Sequence, residues 1–276
     1  MVLTNCIVKI DGKIHTFAVD GEFNWGDNVN LFKIKNNIIS KTSWLEDGFN
    51  LIKDCMDDQQ FKSLYESTRL SIIKIMNELG INLNESEFEL KNYHKYVSND
   101  LIHNEIIKKT RNFSAEDFNF DISELLKKFE DELSYRLSPI ISSLNRSHIQ
   151  VRINRPKSLD INPPHKDGYL KIWEDVINIW LPIEGCNERT SLPIIPGSHM
   201  LSEDKILKTQ PQNARINGNL YNVPCILKTS NGNLEFVRQN PKPKDALMFS
   251  PFLIHGAGFN ESDITRVAFE LRFHRY

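Results

Sequence analysis

The stretch Pro163-Pro-His-Lys-Asp-Gly168 places a histidine and an aspartate two residues apart. Side chains two residues apart on a β-strand project from the same face, so an extended backbone would present the His165 imidazole and the Asp167 carboxylate together. A second histidine, His255, follows far downstream in Phe249-Ser-Pro-Phe-Leu-Ile-His-Gly256. Two histidines and one carboxylate are the ligand set of non-heme Fe(II) oxygenases, in which further positions on the metal stay open. The pattern therefore predicts a metal site formed by these three residues.

The sequence around this motif predicts short β-strands. After about residue 148, runs of apolar and β-branched residues alternate with turns that contain proline and glycine. The predicted strands are 148–153, 175–181, 246–249 and 265–273. Strands that follow a helical segment favour a β-sandwich or barrel decorated by N-terminal helices, which is an α+β fold.

Two helices are predicted before the strands. Apolar residues recur at spacings of three and four from about residue 43 to 79, and Gly80 is a plausible end for this helix. The same spacing recurs over residues 122–144, where Asp121 or Ser123 is the candidate N-cap and Pro139 is expected to end or kink the helix.

The remaining segments complete the predicted organisation of the chain. Residues 1–40 read as strands and turns, with a hairpin at Asp11-Gly12. The polar, asparagine-rich stretch 202–244 is predicted to be a long loop of the kind that forms lids or binding loops. We expect a single domain, 1–276, made of an N-terminal β-like extension, a mainly helical layer and a core that carries the metal site (1–40, 41–147 and 148–276).

Composition excludes several classes of protein. The chain has 276 residues, of which 40% are hydrophobic and 25% charged, so intrinsic disorder is not expected. Its net charge of −2 gives no electrostatic footprint for nucleic acid. The sequence has neither an apolar run of membrane-spanning length nor the pattern of a signal peptide. The four cysteines are widely spaced, as in reduced proteins, so we expect a cytoplasmic protein that binds neither nucleic acid nor membrane.

Further motifs indicate a family. Arg266 lies 11 residues after His255, and Ile194-Ile-Pro-Gly-Ser-His199 lies between the two halves of the predicted metal site. Together with Asp47-Gly-Phe-Asn-Leu-Ile-Lys-Asp54 and Arg152-Ile-Asn154, these features resemble the phytanoyl-CoA dioxygenase-like family of Fe(II)/2-oxoglutarate oxygenases, which includes ectoine hydroxylase.

The resemblance implies a fold, cofactors and roles for individual residues. The fold would be a double-stranded β-helix (a jelly roll, as in cupins) with N-terminal helices packed on it, and the cofactors would be Fe(II), 2-oxoglutarate and O₂. It assigns iron binding to His165, Asp167 and His255, and cosubstrate binding to Arg266, Asn154 and Trp180. Arg266 would form a salt bridge to the far carboxylate of 2-oxoglutarate, since its planar fork binds a carboxylate bidentately.

The implied reaction is hydroxylation of a small-molecule or carrier-linked metabolite, with release of succinate and CO₂. Iron halogenases of this type replace the metal-binding carboxylate with a small residue, so Asp167 favours hydroxylation over halogenation. One position departs from the family pattern, because many members carry Ser or Thr two residues after the distal histidine and this chain has Ala257. The alternative is a cupin-like metal-binding protein without oxygenase activity, either an isomerase or a sensor or binding module.

Basic residues flank the metal motif. They are Arg152, Arg155, Lys157, Lys166 and Lys171. We interpret them as a solvated charged rim, since Lys166 would alternate away from the two ligands beside it on a strand. The other interpretation is that they contact an anionic substrate.

Overall fold

The computed structural model describes residues 3–276, which form two β-sheets and a layer of helices. The strands are β1 (Leu3–Ile10), β2 (Lys13–Asp20), β3 (Phe23–Trp25), β4 (Phe49–Ile52), β5 (Leu137–Ser138), β6 (Ile149–Asn154), β7 (Val176–Glu184), β8 (Pro193–Ile194), β9 (Ile206–Thr209), β10 (Ala214–Ile216), β11 (Asn219–Tyr221), β12 (Ile226–Thr229), β13 (Gly232–Arg238), β14 (Ala246–Phe249) and β15 (Arg266–Arg275). The α-helices are α1 (Asp58–Glu78), α2 (Tyr93–Tyr96), α3 (Asp100–Thr110) and α4 (Ile122–Leu133). The fold is α+β, with a jelly-roll core and N-terminal helices packed on it.

The larger sheet has the order β11-β10-β2-β1-β13-β12-β9-β3, with β8 paired to β13. The predicted hairpin joins β1 and β2, where Asp11 (φ 47°) and Gly12 (φ 86°) take the two positive backbone angles that a tight hairpin turn requires. Strand β1 then pairs in parallel with β13, with Val8 opposite Leu234. The N-terminal strands are therefore incorporated in the larger sheet.

The prediction of a long loop at 202–244 is wrong, because this stretch contains strands β9 to β13. Each strand is short and ends at a turn, for example at Asn217-Gly218, where both residues have positive φ. Asparagine and glycine favour such turns, so their abundance reflects closely spaced hairpins. Strand β13 is held between β1 and β12, which links this region to the N-terminus.

The smaller sheet has the order β4-β14-β7-β15, and β15 also pairs with β6 and, near its end, with β5. The four predicted strands of the second half correspond to β6, β7, β14 and β15. The helix predicted from about residue 43 begins only at α1, because residues 49–52 form β4 against β14.

Capping residues account for where helices α1 and α4 begin and end. Asp57 and Gln60 form a capping box at the start of α1, and Gly80 (φ 73°) follows its end as predicted. Asp121 caps α4 through the backbone N–H of Ser123. This helix stops at Ser134, which has a left-handed conformation (φ 57°), well before Pro139.

Strand β7 separates the helical layer from the interior of the jelly roll. Its residues Ile177, Ile179 and Leu181 pack in the core that includes the helices, whereas Trp180 packs with residues on the opposite face of the strand. Each fully buried large apolar side chain contributes about 1.5–3 kcal/mol. The alternation directs Asn178 and Trp180 toward the interior, where the candidate site lies.

In the described part of the chain, no helix is both long and apolar enough to cross a membrane.

Candidate active site

The backbone brings the two histidines of the predicted site together. His165 N donates to His255 O at 2.9 Å and His255 N donates to His165 O at 3.0 Å, which forms an isolated antiparallel bridge. The two imidazole rings lie 4.3 Å apart, centroid to centroid. Two segments that are 90 residues apart in the sequence therefore meet through main-chain hydrogen bonds at the ligand positions themselves.

Asp167 reaches the same point by a different route from the one predicted. We expected His165 and Asp167 on one strand, but Asp167 begins a 3₁₀ turn, Asp167–Tyr169. Gly168 permits this turn, because a Cβ at that position would lie 2.5 Å from the Phe252 ring. The Gly168 N–H donates to Pro251 O at 2.8 Å, which holds the turn against the segment that leads to His255.

The three side chains form a group that could hold a metal ion. His165 Nε2 lies 3.4 Å and His255 Nε2 lies 3.9 Å from Asp167 Oδ1. One ligand atom from each residue lies within 4.8 Å of the others, and all three residues are buried. His165 Nδ1 donates to Pro163 O at 2.7 Å, and His255 Nδ1 donates to Leu253 O at 3.0 Å. These bonds select the tautomer in which each Nε2 carries a free lone pair directed at the centre of the group.

The electrostatic environment keeps the group in its metal-binding form. Burial alone would raise the pKa of Asp167, but the positive charge of the Arg272 guanidinium holds it well below its usual range. Burial, with the neighbouring His165, lowers the pKa of His255 to about 4. An ionised carboxylate and a neutral imidazole are the protonation states that ligate metal ions.

Arg272 and Asn178 hold the carboxylate from outside. Asp167 Oδ2 accepts hydrogen bonds from Arg272 Nη2 at 2.7 Å and from Asn178 Nδ2 at 3.0 Å. Sequence reasoning missed both residues, although the period of two along β15 was a usable signal. Arg266, Glu270 and Arg272 are separated by four and two residues on this strand, both even spacings, and therefore share a face.

The three residues expected to contact the cosubstrate lie together. Arg266 Nη2 donates to Asn154 Oδ1 and Nη1 donates to Thr190 O, while its Cζ lies 5.7 Å from the centroid of the Trp180 ring. The Asn154 amide nitrogen donates to the carbonyl oxygens of Asp160 and Gly258. Both ends of the Asn154 amide are thus bonded to protein, and its contact with Arg266 orients the guanidinium.

A cavity of about 360 Å³ connects these residues to the two histidines. Its lining includes His165, His255, Trp180, Asn154 and Arg266. Arg266 Nε and Trp180 Nε1 are buried and lack a hydrogen-bond partner within residues 3–276. Buried donors without partners are costly, so these two atoms at a cavity wall are suited to a polar ligand.

Three of the five flanking basic residues are not part of a solvated rim, whereas Lys157 and Lys171 are exposed as expected. Lys166 is fully buried and donates to Glu203 Oε1 at 2.8 Å, and Arg155 is buried against Asp160. Arg152 is partly buried and bonded to Glu270. Lys166 has an extended backbone directly before the 3₁₀ turn, and its side chain is directed to the buried Glu203 rather than to solvent.

His199, in the Pro-Gly-Ser-His turn, lies outside the metal-binding group. Its Nε2 donates to Leu45 O at 2.9 Å, and its ring meets Phe32 edge to face at 4.6 Å. The ring also occupies the space in which a Cβ on Gly48 would lie, 2.4 Å from Nδ1. His199 therefore packs the Pro-Gly-Ser-His turn against the segment that leads into β4.

Several solved structures with low sequence identity are similar to this chain. Solved structures of similar fold include AviO1 from Streptomyces viridochromogenes Tue57 (15% identity, covering 90% of this chain and 96% of that chain, TM-score 0.47). EctD from S. alaskensis, solved with 2-oxoglutarate and 5-hydroxyectoine, has 12% identity over 93% of this chain and 83% of that chain, with a TM-score of 0.47. SnoK, a non-heme alpha ketoglutarate dependent carbocyclase from nogalamycin biosynthesis, has 13% identity over 91% and 88%, also with a TM-score of 0.47.

Sequence comparison identifies the family. No curated protein matches the chain. The sequence model of the phytanoyl-CoA dioxygenase (PhyH) family matches residues 44–268. This range includes His165, Asp167 and His255, the three residues of the candidate metal site, and it includes Arg266. The match covers most of the chain, and the chain belongs to the phytanoyl-CoA dioxygenase family.

Proposed function

We propose that this protein is an Fe(II)- and 2-oxoglutarate-dependent dioxygenase that hydroxylates a small-molecule or carrier-linked metabolite. The observation that carries the proposal is one cavity whose wall holds His165 and His255 at one place and Arg266 at another. Fe(II) and 2-oxoglutarate are the cofactors of this family, with O₂ as the second cosubstrate and with succinate and CO₂ as products. Asp167 retains the carboxylate that favours hydroxylation over halogenation.

The donor set fits Fe(II). Two neutral imidazoles and one carboxylate on one side of a metal leave positions for a cosubstrate and O₂. The Nδ1 hydrogen bonds of both histidines fix their rings, and Arg272 with Asn178 fixes the carboxylate. Bound Fe(II) would supply the oxidising chemistry, and the protein side chains would position the reactants and exclude competing reactions.

Arg266 is suited to the distal carboxylate of 2-oxoglutarate. It is buried, its hydrogen-bond partners are the neutral oxygens of Asn154 and Thr190, and its Nε has no partner in the described chain. A buried guanidinium without a carboxylate is strongly favoured to take one up, since the pair gains charge-assisted hydrogen bonds. In this assignment Asn154 is a positioning residue for Arg266.

Trp180 supplies the second hydrogen bond to the cosubstrate that this chain lacks at Ala257. Ala257, where many members have a hydroxyl group, is buried and offers no donor. Trp180 Nε1 is a buried donor without a partner, and it lines the same cavity as Arg266. We assign to this indole N–H the hydrogen bond to the cosubstrate carboxylate that a serine or threonine would otherwise make.

The competing function is a metal-binding protein without oxygenase activity, an isomerase or a sensor or binding module. The loss of the hydroxyl at Ala257 is the observation that favours it. The two functions differ in one measurable respect, because only the oxygenase converts 2-oxoglutarate to succinate.

The test is an anaerobic titration of the Fe(II)-loaded protein with 2-oxoglutarate. Bidentate binding of the cosubstrate gives a weak visible charge-transfer band, which we expect in the wild-type protein and not in His255→Ala. His199→Gln is the matched control, since His199 is also buried but lies outside the metal-binding group. Bound iron without a band, and without succinate formation in air, would overturn the proposal in favour of the metal-binding alternative.

A further inference from the structure

The charged side chains that line the cavity are mostly paired with one another. Arg155 Nη2 lies 2.8 Å from Asp160 Oδ1 and 2.6 Å from Asp100 Oδ1. Arg152 Nη2 lies 2.7 Å from Glu270 Oε2. These pairs account for the carboxylates on the cavity wall, and the remaining cations have to be considered one by one.

Two guanidinium groups on the cavity wall have no carboxylate partner in residues 3–276. The first is Arg266, which the proposed function assigns to 2-oxoglutarate. The second is Arg111, the C-cap residue of α3, whose side chain makes neither a hydrogen bond nor a salt bridge in the described chain. Lys108 also lines the cavity, but its ammonium group is paired with Glu105. Arg111 is therefore a second guanidinium on the cavity wall that is available to an anion.

Arg111 and Arg266 lie at different depths. The Arg111 side chain is exposed at the cavity, whereas Arg266 is buried. The surrounding protein, followed by the Arg152 charge, lowers the pKa of Arg111 to about 10, so both guanidinium groups stay charged at neutral pH. Arg152 also has a buried Nε without a partner in this part of the chain. The Arg152 charge disfavours the charged form of Arg111, and an anion bound between the two side chains would relieve this repulsion.

We propose that Arg111, together with the unpartnered Nε of Arg152, binds a carboxylate or phosphate group of the substrate at the wall of this cavity. The planar fork of arginine suits either group, because both accept two parallel hydrogen bonds. That the bound anion belongs to a substrate rests on the proposed function, whereas the existence of an anion-binding subsite does not. The buried Arg266 would bind the cosubstrate, and Arg111 with Arg152 would bind the substrate, so the two anions would not compete.

A purely structural role for Arg111 makes a different prediction. Cations at the C-terminus of a helix stabilise it through the helix dipole. That role would reduce the stability of α3 on substitution of Arg111 and would leave anion binding unchanged. Lys109 offers a matched control, since it lies in the last turn of the same helix, pairs with Glu78 and is absent from the cavity wall.

The experiment is an NMR titration of metal-free protein with two probes, inorganic phosphate and propionate. An Arg266→Gln background removes the deep subsite from the measurement. In this background we expect Arg111→Gln to weaken binding of the preferred probe by about tenfold or more, the effect of losing a hydrogen bond between charged groups. Arg111→Lys should be intermediate because it keeps the charge and loses the fork, and Lys109→Gln should have no effect.

The two probes distinguish phosphate from carboxylate recognition, because the probe that binds with higher affinity identifies the anionic group that the subsite prefers. Equal affinities in Arg111→Gln and Lys109→Gln, or no binding of either probe, would overturn the subsite. Since the titration needs neither iron nor turnover, its outcome is independent of the proposed function. Arg111-dependent binding in a protein that fails to convert 2-oxoglutarate would leave the subsite standing and would remove only the oxygenase assignment.

Discussion

Arg272 Nη2 donates to Asp167 Oδ2 at 2.7 Å, so one carboxylate oxygen is held from outside while Oδ1 faces the two histidines. Arg272 is itself buried, and its Cζ lies 4.6 Å from the centroid of the Trp173 ring. A carboxylate held in this way can present a single oxygen to a metal without rotating. Arg272 therefore acts on the expected metal site through Asp167 rather than by touching the metal.

Replacing Arg272 tests this role. We expect Arg272→Ala to reduce Fe(II) affinity by about 10- to 100-fold, the usual effect of removing a group that orients a metal ligand. The variant should also lose about 3–5 kcal/mol of unfolding free energy, because it leaves Asp167 buried beside no cation. Metal titration and urea unfolding measure the two effects. Arg272→Lys should recover part of both, and a folded Arg272→Ala protein with wild-type iron affinity would contradict the assignment.

A second prediction concerns the indole of Trp180. Trp180→Phe removes the unpartnered Nε1 and keeps most of the ring, so the fold should be retained. We expect about tenfold weaker binding of 2-oxoglutarate with unchanged iron affinity, since a hydrogen bond to a carboxylate is lost. Trp173→Phe is the control, because Trp173 stacks on Arg272 and is absent from the cavity wall. Equal cosubstrate affinities in the two variants would show that the Trp180 N–H is not the donor.

Much of the smaller sheet could be predicted from the sequence. Strands β7 and β14 are buried on both faces and appear as runs of apolar residues, and β15 is nearly so. The region of β9 to β13 could not be predicted, since its strands are three to seven residues long and several of them pair with strands near the N-terminus, as β10 does with β2 and β9 does with β3. The parallel pairing of β1 with β13 joins residues more than 200 positions apart, and no local pattern encodes it.

The candidate site also contains residues that the sequence predicted and residues that it could not predict. The spacing of His165 and Asp167 identified two residues that do come together, although a turn at Gly168 rather than a strand achieves it. Arg111 could not be found in this way. Helix α3, which carries it, has only a short amphipathic pattern and no motif, and its place over the cavity depends on tertiary packing against β6.

A third prediction concerns the dependence of stability on pH. Tyr93 Oη donates to His103 Nδ1 at 3.0 Å, and His103 Nε2 lies 3.3 Å from Asp160 Oδ2. Burial lowers the pKa of His103 from 6.5 to about 4, against the opposing attraction of Asp160. Between about pH 4 and pH 6.5, His103 is therefore protonated in the unfolded chain and neutral in the folded protein. The contribution of His103 to the free energy of unfolding is full above about pH 6.5 and decreases as the pH falls to about 4.

His103→Gln isolates this contribution. By proton linkage, His103 alone should cost the wild-type protein about 2 kcal/mol of unfolding free energy between pH 7 and pH 5. Urea unfolding at both pH values should show a smaller loss in His103→Gln, by about that amount. The same loss in both proteins would mean that other groups account for the acid sensitivity.

Lys166 lies between two of the expected iron ligands and is the centre of a buried charge cluster. Glu203 accepts hydrogen bonds from Lys166 Nζ at 2.8 Å, Lys208 Nζ at 2.6 Å and Tyr169 Oη at 3.0 Å. Burial lowers the pKa of Lys166 and the Glu203 carboxylate opposes this. The ammonium group therefore depends on Glu203 to remain buried and charged.

Glu203→Ala should be strongly destabilising for this reason. Removing one partner of a buried ion pair leaves an uncompensated charge and costs about 3–5 kcal/mol. Because Lys166 would then move toward water, we also expect weaker Fe(II) binding by the ligands on either side of it. The double variant Lys166→Met, Glu203→Gln removes both charges and should recover most of the stability, measured by urea unfolding. Asp263→Ala is the control, because it breaks the exposed pair with Lys157. A loss in Glu203→Ala no larger than in this control would show that Lys166 finds another partner or solvent without disturbing the site.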